Sequence, residues 1–163
     1  MIELPDGVTL RIEDELVIVK GPKGEERRTF RKDFVTPSIS GKKFEVKGDH
    51  VHVGSLEGHV KNLINGVTKG FVRKFKAIYA HFPVSFEVKG KEFIIKNFLG
   101  EKQPRKANII GNTKIEVKGV EVTISSTNRE HLGQTVSNIK GATKIKKRDS
   151  RVFQDGLYEV EQS

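Results

Sequence analysis

The sequence predicts an α+β fold of two tandem duplicated domains, each an antiparallel sheet packed with one main helix. Three observations predict it: self-similarity between the halves, short alternating apolar segments set off by turn residues, and one helical apolar stripe per half. Glu45-Val46-Lys47-Gly48 recurs letter for letter as Glu116-Val117-Lys118-Gly119, and Phe44, Val51 and Val53 then match Ile115, Val122 and Ile124. Upstream, Val8-Thr9-Leu10 sits against Val84-Ser85-Phe86, Ile18-Val19-Lys20 against Ile94-Ile95-Lys96, and Gly24-Glu25 against Gly100-Glu101. Downstream, His59-Val60 lines up with His131-Leu132, Ile64 with Val136 and Val67 with Ile139. The offset passes from 76 to 71 to 72, so the copies differ by short loop changes, with the joint near Ala80–Pro83. The expected domains are residues 1–80 and residues 81–163.

In the first copy Val8, Leu10 and Ile12 alternate as a half-buried strand, and Leu16–Lys20 reads as a second. Gly21-Pro22-Lys23-Gly24 is the punctuation that follows. Phe44–Lys47 and His50–Val53 read as a strand pair turning at Gly48-Asp49. Ser55 is placed to cap a helix, with Glu57 favourable in its first turn. Val60, Leu63, Ile64, Val67 and Phe71 then fall on one helical face. Gly66 and Gly70 weaken that helix, so it needs a sheet to pack on. The second copy repeats the plan, with strands at Ser85–Lys89, Phe93–Asn97, Lys114–Lys118 and Val120–Ser125. A helix follows from Asn128, with Leu132, Val136 and Ile139 facing inward.

The chain has 163 residues with 30 Lys+Arg against 21 Asp+Glu, a net charge of +9 that favours a polyanionic partner, nucleic acid before an acidic membrane. Ten Phe and many Val and Ile argue against a disordered basic protein. The absence of Cys excludes disulfides, thiolate metal sites and a Cys nucleophile, and fits a reducing compartment. The acidic start, Met1 to Asp6, does not resemble a signal peptide. The longest aliphatic run, Leu16-Val17-Ile18-Val19, is far short of the roughly 20 residues that span a bilayer. The expectation is a soluble, intracellular protein with no membrane partner.

His50 and His52 lie two apart on an expected strand and His59 begins the expected helix, a set of imidazoles that zinc can use. No fourth ligand stands nearby, and the second copy has Glu121 and Thr123 at the paired positions, so polar residues on a solvent face are the preferred reading. His59 and His131 match, which suits packing or hydrogen bonding at the helix start. Asp14-Glu15 and Glu25-Glu26 read as solvated turn charges rather than an acid–base pair. There is no Walker A or G-x-G-x-x-G pattern, and the expectation is no cofactor, no metal and no enzymatic activity. Gly21–Gly24 spells the G-x-x-G of a KH loop but follows a strand, and Lys69–Phe75 only echoes the aromatic-basic strand of an RRM. The basic residues carry the sharper signal. Lys140, Lys144, Lys146, Lys147, Arg148 and Arg151 stand against Asp149 alone, in a tract too irregular for a helix face. It reads as a mobile basic arm that orders on phosphate, because each Lys or Arg meeting a phosphate releases counterions. Lys102, Arg105 and Lys106 decorate the loop around Pro104, and Arg27, Arg28, Arg31 and Lys32 form a third cluster in the first copy.

Tyr79-Ala80-His81-Phe82-Pro83 leads into Asn97-Phe98-Leu99-Gly100-Glu101-Lys102 and Pro104-Arg105. Val117-Lys118-Gly119 and Gly133-Gln134-Thr135 follow, and the chain closes on Arg151-Val152-Phe153-Gln154-Asp155-Gly156-Leu157-Tyr158. Over nearly its whole length this resembles the large-subunit ribosomal protein six family, in its archaeal and eukaryotic branch. The resemblance implies a duplicated α+β fold and a structural protein without chemistry of its own. It would bind large-subunit ribosomal RNA near the stalk base and the sarcin–ricin loop, beside neighbouring ribosomal proteins and where translation factors dock. It further implies that the second domain dominates RNA contact, through Lys102, Arg105, Lys106, Lys140, Lys144, Lys146, Lys147, Arg148 and Arg151. Bacterial members end in a Lys/Gly-rich segment, whereas Lys146–Arg151 here is followed by an aromatic-acidic end, so bacterial contacts do not carry over. Gly133-Gln134 would either set backbone N–H groups at a helix start against a phosphate or let helix and sheet approach closely. The rival readings are a basic protein-interaction module and a general nucleic-acid binder outside the ribosome.

Overall fold

A computed structural model gives the fold and describes residues 1–160. The alternation at Leu10 and Ile12 forms strand β2 (Thr9–Glu13), which pairs antiparallel with β3 (Leu16–Gly21) in the register Leu10 opposite Val19 and Ile12 opposite Val17. The chain turns again into β4 (Gly24–Thr29), completing a three-stranded sheet in the order β2-β3-β4. A short β1 (Ile2–Glu3), β5 (Val35–Ser40) and β6 (Lys43–Gly48) make a second sheet, β1-β6-β5. Helix α1 (His50–Thr68) lies on both sheets and buries Leu56, Val60, Leu63, Ile64 and Val67. Val17, Val19, Phe44, Val60 and Val67 are fully buried there, each apolar side chain supplying about 1.5–3 kcal/mol of transfer free energy.

After α1 come β7 (Phe71–Ile78), β8 (Ser85–Lys89), β9 (Glu92–Lys96), a 3-10 turn at Phe98–Gly100, and β10 (Arg105–Asn108). Strands β11 (Lys114–Lys118) and β12 (Glu121–Ser126), helix α2 (Arg129–Ala142) and strand β13 (Gly156–Val160) follow. The sheets run β8-β9-β10 and β11-β12-β7-β13. Phe75, Phe93, Ile95, Phe98, Val122, Ile124 and Ile139 are buried to 2% exposure or less. The strand orders β2-β3-β4 and β1-β6-β5 thus recur as β8-β9-β10 and β7-β12-β11, with β13 added beside β7. That identity of order is the duplication. The chain divides into two compact units, the first Met1–Phe71 with Thr127–Arg129, the second Val72–Ser126 with the described residues from Glu130. The repeat reading sets its joint near Ala80–Pro83, and strand β7 accounts for the offset because it lies in the sheet of the second unit.

The two-domain α+β class stands; the first copy holds two three-stranded sheets, the second one of three strands and one of four. Four finer expectations are corrected. His50–Val53 is the first turn of α1, not a strand, and the cap position falls at Asp49 instead of Ser55. Val53, Leu56 and Val60 extend the inward helical stripe back toward His50, and burying that stripe outweighs the strand preference of alternating Val. Phe71 lies in β7, since Gly70 at φ 75° ends the helix. The letter-for-letter match puts Glu45–Gly48 on β6, the strand before the helix, but Glu116–Gly119 on β11 and its turn, one strand earlier. The structural counterparts are the hairpins β5–β6 and β11–β12, turning at Gly41 and Gly119, both at φ 61°.

Candidate nucleic-acid interface

The basic loop of the second unit starts from a tight reversal. Asn97, Leu99 and Gly100 all take positive φ, which turns the chain sharply after β9 and leaves Phe98 and Leu99 buried. The reversal lays Glu101 beside Arg105, at the start of β10. Arg105 donates from Nε and Nη2 to the Glu101 carboxylate at 2.8 and 2.6 Å, a bidentate fork. Its Nη1 donates to the carbonyls of Ala142 and Lys144 at 2.8 and 3.0 Å, and its guanidinium lies 4.6 Å over the Phe98 ring. Arg105 therefore ties the end of α2 and the start of the basic tract to the loop carrying Lys102. The hydrogen bond from Arg105 holds the Glu101 carboxyl below its ordinary 4.5, and the same bond raises Arg105.

Helix α2 ends where Thr143 donates its backbone N–H and its hydroxyl to the Ile139 carbonyl, both at 3.0 Å. Beyond it the chain is irregular, with Lys147 at φ 59°. Asp149 organises the far side: its backbone carbonyl accepts from Val152 and Phe153 at 3.1 and 2.9 Å, and its carboxylate accepts from Arg151 N–H and guanidinium at 3.0–3.3 Å. The Arg151 side chain, then its backbone N–H, keep the Asp149 carboxyl below the usual range. Arg148 stacks 4.8 Å over Phe153, whose other neighbour is the His81 ring at 5.1 Å. Asp155 is buried, accepts the Ala80 N–H at 3.4 Å and faces His81 Nδ1 at 3.7 Å, and β13 then pairs with β7. The tract is thus a loop tied at its start to Arg105 and leading at its end to the buried Asp155.

Within this surface the cations divide by what they touch. Lys106 sits 3.7 Å from Glu92, and Lys140 pairs with Glu159 at 3.3 Å over the Phe75 ring. Lys102, Lys144, Lys146 and Lys147 are exposed, and their ammonium groups make no ion pair with the described residues. The structure therefore gathers Lys144, Lys146, Lys147 and Arg148 on one loop whose start is tied to the Lys102 loop, and turns Arg105 inward with 22% of its side chain exposed. Sequence reasoning missed the hub role of Arg105, and the signal was there: Glu101 stands four residues before it. Gly133 is corrected on both expectations. It lies in the second turn of α2, away from the first N–H groups, and a Cβ there would meet nothing within 4 Å.

The histidines take other places. His50 and His52 lie on a helix, where residues two apart do not share a face. His52 Nδ1 is 2.7 Å from the Asp49 carboxylate and its ring stacks on Phe34 at 4.5 Å, while His59 Nε2 is 3.1 Å from Arg28 Nη2. Among the described residues no three His, Asp or Glu side chains stand together to hold a metal ion, and no helix is long and apolar enough to cross a membrane.

The family model described as Ribosomal protein L6 matches residues 82–156, which carry this loop and the basic tract. Over 163 aligned residues the chain is 45% identical to the "Large ribosomal subunit protein uL6" of Methanobrevibacter smithii, covering 96% of this chain and 92% of that protein. The protein of the same name from Methanosphaera stadtmanae is 47% identical, covering 99% and 91%. That of Methanosarcina mazei is 43% identical, covering 99% and 96%. With near-complete coverage at this identity, and with the duplicated strand order in each unit, the chain belongs to the ribosomal protein L6 family.

Proposed function

We propose that this protein is a structural, non-enzymatic constituent of the large ribosomal subunit that binds large-subunit ribosomal RNA through its second unit. The observation that carries the reading is the loop from Lys144 to Arg148, whose exposed lysines have no carboxylate partner among the described residues and whose start is tied by Arg105 to the Lys102 loop. Lysines held on an anchored loop meet phosphates at a smaller ordering cost than lysines on a free arm. Lys102, Lys144, Lys146, Lys147 and Arg148 would contact phosphate directly, Lys106, Lys140 and Arg151 would exchange a carboxylate for it, and Arg105 would hold the surface together. The finer location, near the stalk base and the sarcin–ricin loop with neighbouring ribosomal proteins and translation factors at hand, follows the family resemblance. The names of the relatives support the large subunit as its place in the cytoplasm.

Cosedimentation with large subunits in moderate salt tests this reading. The protein is expected to pellet with large subunits and to prefer folded large-subunit RNA over an equal length of duplex DNA. Equal retention on duplex DNA, or no cosedimentation, would instead favour a general nucleic-acid binder or a basic protein-interaction module.

A further inference from the structure

A cleft of about 320 Å³ lies wholly within the second unit, between the end of α2, the basic tract and β13. Tyr158 lines it while remaining 47% exposed. The Tyr158 hydroxyl donates to the Gln154 carbonyl at 2.7 Å, and a Cβ on Gly156 would lie 3.7 and 4.0 Å from Cε2 and Cζ of the ring. The ring is therefore fixed, with one side over the glycine backbone. It has no ring partner among the described residues, whereas Phe153, also in the lining, already meets Arg148 and His81. Two cations line the cleft. Lys140 is engaged with Glu159, and the exposed Lys144 ammonium makes no ion pair with the described residues. Asp155, 3% exposed, is the most buried residue of the lining; its Oδ1 accepts the Ala80 N–H, and its Oδ2 has no hydrogen-bond donor among the described residues. A buried acceptor left without a donor is costly, and a ligand N–H that reaches it recovers the loss.

We propose that this cleft receives one unpaired nucleotide of the RNA, its base stacked on Tyr158, an N–H of the base directed to Asp155 Oδ2, and its phosphate at Lys144. The partner rests on the RNA-binding reading above; what is added is a base site in a surface otherwise made of cations. Lysines meet any phosphate, whereas a free aromatic ring beside them takes only a base that has left its stack. The carboxylate gives the site a direction. Negative and acceptor-only, it keeps phosphate oxygens at the rim and takes N–H donors, which every base carries. The volume stands at the lower end of the roughly 300–1,000 Å³ of ligand sites, which suits a single nucleotide.

The test uses the full chain and a large-subunit RNA fragment, with affinity and the chemical reactivity of every unpaired nucleotide as readouts. Tyr158→Leu is expected to weaken binding about 5- to 150-fold, the range for losing one base–aromatic stack, and to expose one nucleotide that the wild type protects. Tyr158→Phe keeps the ring and loses only the bond to Gln154, so it should retain affinity and protection. A loss as large as that of Tyr158→Leu would show that the hydroxyl matters and not the stack, and would overturn the inference. An abasic residue at the protected position should cost the wild type at least the same factor, and should cost Tyr158→Leu less, since the stack is already gone. Unsubstituted purine there keeps the ring without an N–H donor and should weaken wild-type binding about 10-fold or more, the range for a hydrogen bond to a charged group; unchanged affinity would remove Asp155 from the site. Unchanged affinity and reactivity in Tyr158→Leu, with the wild type binding normally, would overturn this inference alone. Failure of the wild type to bind the RNA would overturn it together with the proposed function.

Discussion

Arg105 illustrates what a sequence conceals about a single side chain. Its place among Lys102 and Lys106 marks it as a phosphate ligand, and nothing local says that its remaining donors meet the carbonyls of Ala142 and Lys144, 37 and 39 residues away. The planar fork reaches a carboxylate and two carbonyls at once, which an ammonium cannot reproduce. Arg105→Lys should therefore cost about 1–2 kcal/mol of stability and weaken RNA binding by loosening the tract, while the salt slope of binding stays at its wild-type value. Thermal melting together with affinity at several salt concentrations checks both halves; a slope lowered by about 1 would make Arg105 a direct phosphate contact. Glu101 gives the same clamp a pH signature. Its folded-state pKa lies below 4.5, so its contribution is full above that value and is lost as pH falls through the folded pKa. With its side chain 42% exposed the pair is worth about 1 kcal/mol at most. The melting temperatures of wild type and Glu101→Gln should differ near neutral pH and converge in acid; a gap that persists at about pH 3 would mean the carboxylate charge is not what stabilises.

The elements that the sequence reveals are those whose pattern reports their own burial: β2 and β8 by alternation, β3 and β9 by short apolar runs, and the two helices by their stripes. Those it hides depend on partners far away in the chain. Strand β4 carries Glu25, Glu26, Arg27 and Arg28 and reads as a charged turn, yet Glu26 is buried because Thr127 Oγ1 and Asn128 Nδ2 donate to its carboxylate. Strand β13 reads as a tail until β7 is there to pair with it. Helix α1 allows two sharp checks. Gly58 faces open space, whereas a Cβ on Gly66 would lie 1.8 Å from the Thr127 carbonyl oxygen. Gly58→Ala should stabilise by about 0.5–1 kcal/mol through helix propensity, and Gly66→Ala should destabilise although its propensity gain is the same. Chemical denaturation of both reads the opposite signs directly; a stabilising Gly66→Ala would place Thr127 elsewhere. Ile64 and Val136, at 7% and 4% exposure, sit at the centres of the two helix faces. Ile64→Asp and Val136→Asp should each cost roughly 3–5 kcal/mol and unfold the unit concerned, and normal melting of either would remove that residue from its core.

Charge is nearly even between the copies, 15 basic against 11 acidic residues in 1–80 and 15 against 10 in 81–163, so composition does not say which of them holds RNA. The proposed assignment to the second unit rests on the cations gathered on one loop. In the first unit Arg27 lies 3.7 Å from Glu25 and Lys32 lies 3.6 Å from Asp14, whereas Lys144, Lys146 and Lys147 have no such partner among the described residues. Counterion release makes log affinity fall linearly with log salt, by roughly 0.9 per phosphate contact on duplex DNA. The decisive measurement is the affinity for a large-subunit RNA fragment at several salt concentrations, for the wild type and two folded variants. Replacing Lys144, Lys146, Lys147 and Arg148 by Ser should lower the slope by as much as ~4, so that from about 50 to 200 mM salt the wild type loses roughly 100-fold more affinity than the variant. The same change at Arg27, Arg28, Arg31 and Lys32 should lower it less. An unchanged slope for the 144–148 variant, or a larger fall for the 27–32 variant, would contradict the assignment of the RNA to the second unit.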